Sequence, residues 1–105
     1  QEEWFTWAYT LYSYSTFLQD ELNMQKIALS WCNDKLNKMV AKNHDQFGKY
    51  TKYEERRPLI IVNDEYAATV DHYREIAESR VQALDGKIYE LKRKGDILLE
   101  KGKRA

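Results

Sequence analysis

Residues 11–39 read LYSYSTFLQDELNMQKIALSWCNDKLNKM, a stretch with neither proline nor glycine. Taken in alternating steps of four and three, it yields Leu11, Ser15, Leu18, Leu22, Gln25, Leu29, Cys32, Leu36 and Met39. Seven of these nine are apolar. Such a stripe is what a long helix needs in order to lie against a second helix. Because Pro and Gly are absent from Glu3 to Asn43, a first helix is expected over about 3–43. At ~1.5 Å per residue it would be roughly 60 Å long.

The same rhythm returns near the other end of the chain. Val70, Tyr73, Ala77, Val81, Leu84, Ile88, Leu91, Gly95 and Leu98 form a second seam, predicting a helix over about 64–101. Asn63 or Asp64 supplies its N-cap, and Asp64 and Glu65 place negative charge at the positive end of the helix dipole. Gly86 and Gly95 each cost about 1 kcal/mol relative to Ala inside a helix, so each marks either a close contact or a kink. Between the seams, Gly48 ends the first helix and Pro58 disfavours the α conformation at Arg57. Leu59-Ile60-Ile61-Val62 reads as extended, with room for a helical turn or two through 51–56. Residues 44–63 are therefore expected to form an irregular linker.

The expected fold is all-α: two long antiparallel helices, a helical hairpin or coiled coil, in a single domain over 1–105. The rest of the chain agrees. Four Gly and one Pro in 105 residues are too few for the turns of a β-sandwich or barrel. Formal net charge is zero, yet the charge is segregated. Residues 1–41 hold three cations against five acids, 42–58 five against three, 59–86 two against six, and 87–105 seven against three. Folding about residue 53 would set acidic 64–85 beside Lys26, Lys35, Lys38 and Lys42. It would also set basic 87–104 beside Glu2, Glu3, Asp20 and Glu21. Flanking pairs of this kind contribute tenths of a kcal/mol each but select orientation.

One feature exceeds what a lone hairpin can cover. Trp4, Phe5, Trp7, Tyr9, Tyr12, Tyr14 and Phe17 are half of the 14 aromatics, and at ~100° per residue they encircle the helix. Together with Leu11 they predict an interface, foremost between copies of the chain in a homo-oligomer.

Chemistry-bearing patterns are sparse. There is no glycine-rich phosphate loop, His-Glu-x-x-His pair or nucleophile elbow, so no enzyme, cofactor or metal is expected. His44 and His72 lie in different elements, and lone Cys32 reads as a small buried residue. Asp64, Asp71, Glu75, Glu78 and Asp85 share one face of the second helix. A di-metal carboxylate site on a bundle would add a Glu-x-x-His pair, which is missing, so a solvated stripe facing lysines is expected. No run approaches the ~18 apolar residues of a membrane span. The opening Gln1 in place of Met suggests that some native N-terminus is missing.

Two basic stretches remain. Lys49-Tyr50-Thr51-Lys52-Tyr53-Glu54-Glu55-Arg56-Arg57 interleaves cations with aromatics, the combination that suits single-stranded nucleic acid, with cations on phosphates and rings on bases. Its candidates are Lys49, Tyr50, Lys52, Tyr53, Arg56 and Arg57, with Glu54 and Glu55 opposing them. Lys92, Arg93 and Lys94, followed by Lys101-Gly102-Lys103-Arg104, form a second candidate, or simply a helix end whose cations suit the dipole.

Asn63-Asp64-Glu65-Tyr66 and Tyr89-Glu90-Leu91-Lys92-Arg93-Lys94-Gly95-Asp96-Ile97-Leu98 resemble small helical phage proteins of replication and recombination. The layout, with Leu11-Tyr12-Ser13-Tyr14 in an aromatic-rich first helix, a charged linker and a long final helix, is similar to the recombination mediator of T-even phages. The resemblance covers most of the chain in layout but about a dozen residues in detail, and the linker looks shorter here. It implies a homo-oligomer that binds single-stranded DNA in the host cytoplasm, with a recombinase or single-strand-binding protein as partner. Two other readings stay open: a structural or adaptor coiled-coil protein that binds other proteins, and a small inhibitor of a host enzyme.

Overall fold

The computed structural model describes residues 2–48 and 51–104. Three α-helices account for nearly all of them: α1 (Glu2–Lys42), α2 (Tyr53–Asn63) and α3 (Glu65–Arg104), with a single 3-10 turn, His44–Gln46, after α1. No strand occurs among the described residues. The chain divides into two compact units, a terminal one of Gln1–Gln25 with Arg80–Ala105 and a central one of Lys26–Ser79.

In the terminal unit, Leu18 and Leu22 of α1 and Ile88 and Leu91 of α3 are buried together, with Leu11, Val81 and Leu84 packed around them. Burying a Leu or Ile fully contributes about 1.5–3 kcal/mol, so this cluster is the main source of cohesion here. Ser15 occupies a seam position and is buried; its hydroxyl donates to the Tyr12 carbonyl, 2.8 Å away, which meets its hydrogen-bonding need. Two glycines set how closely the helices approach. A Cβ on Gly95 would lie 2.9 Å from Tyr12 Cε1, and one on Gly102 would lie 2.9 Å from Phe5 Cε1. Each aromatic ring therefore rests directly on α3 backbone. Phe5 and Tyr12 are seven residues apart, as are Gly95 and Gly102, so the seat repeats once per heptad. The Tyr12 hydroxyl also donates to Asp96 Oδ1. Gly86 is different: a Cβ there would meet nothing within 4 Å.

In the central unit, Cys32, Leu36 and Val40 of α1 pack with Ile60 of α2 and Ala67 and Val70 of α3, joined by Met39, Phe47 and Ile61. Here α2 is the third element, and its presence corrects the expectation of an irregular linker. Residues 59–62 are helical, not extended, and Pro58 lies inside the helix. Pro58 is exposed and has no N–H to offer the Glu54 carbonyl. That position lessens the cost of an internal proline. Leu59-Ile60-Ile61-Val62 is an apolar run that periodicity alone cannot assign; packing of Ile60 against Leu36 and Val70 selects the helix. Asp64 joins α2 to α3. Its extended backbone ends α2, with its N–H donating to the Ile60 carbonyl, and its carboxylate accepts the Ala67 N–H at 2.9 Å. It is the N-cap that the sequence allowed at 63 or 64.

The α1 seam stands as read: none of its nine positions is exposed. On α3 the seam needs one correction. Tyr73 is 60% exposed, and the inward position is Arg74. The run Ala67, Val70, Arg74, Ala77, Val81, Leu84, Ile88, Leu91, Gly95, Leu98 and Gly102 alternates three and four without a break. Arg74 is partly buried, with its guanidinium paired to Asp71 and Glu78. A second correction concerns charge. Among the described residues, the ion pairs within helices join positions three or four apart, or adjacent ones, and none links α1 to α3.

Substituting the open and the occupied glycine should have opposite effects. Gly86→Ala is expected to raise stability by about 1 kcal/mol through helix propensity. Gly95→Ala should lower it, because forcing a methyl into the Tyr12 ring costs about 1–3 kcal/mol. Denaturant midpoints followed by helical circular dichroism would check both.

Candidate interaction surfaces

Local packing decides which sequence-predicted residues are available to a partner. In the basic-aromatic stretch, Lys49 and Tyr50 lie outside the described residues. Lys52 and Tyr53 are exposed. Arg57 is not free: its guanidinium donates to Asn33 Oδ1 at 3.0 Å, the Asn33 carbonyl at 3.2 Å and Asn37 Oδ1 at 2.7 Å. It ties α2 to α1. Arg56 lies over the rings of Phe47 and Tyr53, at 5.4 and 6.0 Å, and its Nε is buried without a hydrogen-bond partner. Two of the cations read as phosphate contacts thus hold the central unit together.

The other basic candidates belong to the terminal unit. Lys92 and Arg93 are exposed. Lys94 Nζ is 3.4 Å from Glu90, which also meets Lys87 at 3.9 Å. Lys101 lies over the Trp4 ring at 5.5 Å, and Arg104 pairs with Glu100 at 3.3 Å. Pairs as exposed as these contribute little to stability.

The acidic face of α3 is organised by an arginine instead of lysines. Arg74 contacts Asp71 at 2.7 Å and Glu78 at 2.6 Å, with Glu75 at 3.8 Å. The Asp71 bond, against the opposing effect of burial, holds the guanidinium above its ordinary pKa, with Glu78 adding to the rise. No cluster of three or more His, Cys, Asp or Glu that could hold a metal occurs among the described residues. His72 is exposed, and His44 lies 3.1 Å from Asp45 at the surface. Burial pushes the Cys32 thiol up; Asp71 adds to this and Arg74 opposes it. That disfavours the nucleophilic thiolate. No helix among the described residues is long and apolar enough to cross a membrane.

The aromatic belt of α1 separates into two sets. Leu11 packs on the core, Tyr12 and Phe5 sit on the α3 glycines, and Trp4 meets Lys101. Trp7, Tyr9, Tyr14 and Phe17 remain largely exposed. Within the terminal unit Trp7, Tyr14, Phe17 and Met24 form a row, because 7, 10, 14, 17, 21 and 24 repeat the three-four alternation one residue ahead of the core seam. Trp7 meets Trp4 edge-on at 5.4 Å, and Tyr14 stacks with Phe17 at 6.1 Å and 18°. Met24, 62% exposed, was missed from sequence. The seven-residue step from Phe17 is the signal that would have found it.

No protein-family model, curated protein or solved structure matches this chain.

Two side chains give direct tests. Arg57→Met should destabilise the protein by about 1–3 kcal/mol, since it removes three hydrogen bonds of a charged group; thermal melting would show it. Tyr12 has its pKa raised above 10.0, first by the hydrogen bond to Asp96, then by burial, then by the Asp96 charge. Its contribution to stability is complete below the unfolded value and is lost as pH rises through the higher folded value. Wild type should therefore weaken above about pH 10 by a component that Tyr12→Phe lacks, as read from unfolding midpoints across that range.

Proposed function

We propose that this chain is a non-enzymatic, self-associating helical scaffold of the adaptor type, with the outward row of α1 as its contact surface. The observation that carries the reading is the exposure of Trp7, Tyr14, Phe17 and Met24 at heptad spacing. The α1 seam one residue behind is already filled by the protein's own core. A second apolar row on a helix whose first row is satisfied marks a second helical neighbour. Aromatic and Met side chains are also the types enriched at protein interfaces. The pairing of Phe5 with Gly102 and of Tyr12 with Gly95 supports an antiparallel hairpin as the unit that associates.

The single-stranded DNA reading, with a mediator's recombinase and single-strand-binding protein as partners, rests on the exposed Lys52, Tyr53, Lys92 and Arg93. It is weakened by the engagement of Arg56 and Arg57 within the fold.

Light-scattering mass separates the readings. The scaffold reading expects a defined multiple of 12.6 kDa, unchanged by a single-stranded oligonucleotide. It also expects return to 12.6 kDa with helicity intact in the double variant Trp7→Ser and Phe17→Ser. Added DNA mass at low salt, lost as salt rises, would favour the nucleic-acid reading. A wild-type mass of one chain would sink self-association.

A further inference from the structure

We infer that the outer row of α1 packs on the same row of a second copy, laid antiparallel about a two-fold axis. This deepens the self-association reading above and rests on it. α1 is one unbroken helix, Glu2–Lys42. The three-four alternation that gives Trp7, Tyr14, Phe17 and Met24 starts at Glu3 and runs on through Ala28 and Trp31 to Lys35, Lys38 and Lys42. Trp31 is 56% exposed and Ala28 is exposed too, so the apolar row has a charged stretch at each end. The two ends have opposite sign. Residues 2–21 carry four acids and no cation, and residues 22–42 carry four cations against one acid. Among the described residues no α1 side chain takes part in an ion pair. Lys35 lies over the Tyr66 ring at 5.7 Å. Lys38 and Lys42 remain as the exposed basic end, opposite in sign to the exposed Glu2 and Glu3.

Those charges identify both the occupant and its direction. Parallel copies would set acid on acid at one end and cation on cation at the other. Antiparallel copies set each acidic end on the partner's basic end, and opposed charges of this kind select orientation. Overlapping the helices along their whole length, with the alternation in phase, places the axis between Leu22 and Asn23. Glu3 then faces the partner's Lys42, and Trp7 faces the partner's Lys38, an ammonium on an indole. Tyr14 faces the partner's Trp31, and Phe17 faces the partner's Ala28, where a methyl leaves room for the ring. Glu21 falls against the partner's Met24. The flanking Asp20 and Asp34 fall against the partner's Ile27 and Ser13, so no acid directly faces an acid. A patch that complements itself when reversed is what an isologous two-fold interface requires.

The test is a charge exchange on the full chain, read as the dissociation constant from sedimentation equilibrium, with helicity followed by circular dichroism. Glu3 and Lys42 lie near opposite ends of one 41-residue helix, roughly 60 Å apart at ~1.5 Å per residue, so they cannot meet within a chain. Glu3→Lys alone and Lys42→Glu alone should each raise the constant by roughly threefold to tenfold, because an attractive rim pair turns repulsive in two symmetric places. The double variant carrying both should return close to the wild-type constant. Any effect of these changes on the helix dipole would add in the double variant instead of cancelling. Trp31→Ser should raise the constant about tenfold or more, since it strips apolar area from the contact. Wild type that associates with a constant unmoved by Trp31→Ser, or single reversals that the double variant fails to rescue, overturns the antiparallel pairing and leaves self-association standing. Wild type that stays a single chain at every concentration overturns both.

Discussion

A helix meets one neighbour through little more than 100° of its circumference, and α1 carries apolar side chains well beyond that arc. Much of the molecule follows from this mismatch. In the terminal unit, Leu11, Leu18 and Leu22 fill the arc facing α3. Phe5 and Tyr12, at its margin, fit only because Gly95 and Gly102 remove the opposing side chains. Trp7, Tyr14, Phe17 and Met24 lie outside that arc and stay about half exposed or more, with Trp7 against Trp4 and Tyr14 against Phe17 on α1 itself. Exposed rings are thus a consequence of how the heptads are laid out, one residue apart on the same helix, and they make α1 a helix with two seams.

Arginine plays the structural part that a basic composition might have assigned to a ligand. Arg57 holds α2 to α1 through Asn33 and Asn37, and Arg74 occupies a core-facing position and gathers Asp71 and Glu78. The planar guanidinium makes several hydrogen bonds in fixed geometry. A lysine at either place would supply the charge without the fork. Lys92 and Arg93 stay exposed at the surface.

The long helices were legible because their evidence is repetitive. Nine α1 positions in alternating steps of four and three average out the weak ones, so Ser15 and Gln25 did not hide the stripe. Asp64 as a cap was legible for a local reason: a short acidic side chain just before a periodic run has few other places to bond. Misreadings fell where the signal was short. Four apolar residues after a proline fit a strand or a buried helical turn equally well, and the apolar Tyr73 stands next to the inward Arg74, a charged residue that an apolar stripe does not reveal. Segregated composition points to interhelical charge pairing, yet the ion pairs within helices among the described residues all join α3 side chains to one another.

Periodicity and the scarcity of Gly and Pro were enough to establish an all-helical chain with two long amphipathic helices, since both are properties of neighbours along the sequence. Which glycine supports a ring and which stands open, which arginine is committed, and which half of the aromatic belt reaches solvent depend on residues as far apart as Tyr12 and Asp96. Sequence spacing within one helix says what shares a face. It carries no information on what lies across from that face, and that is settled by packing.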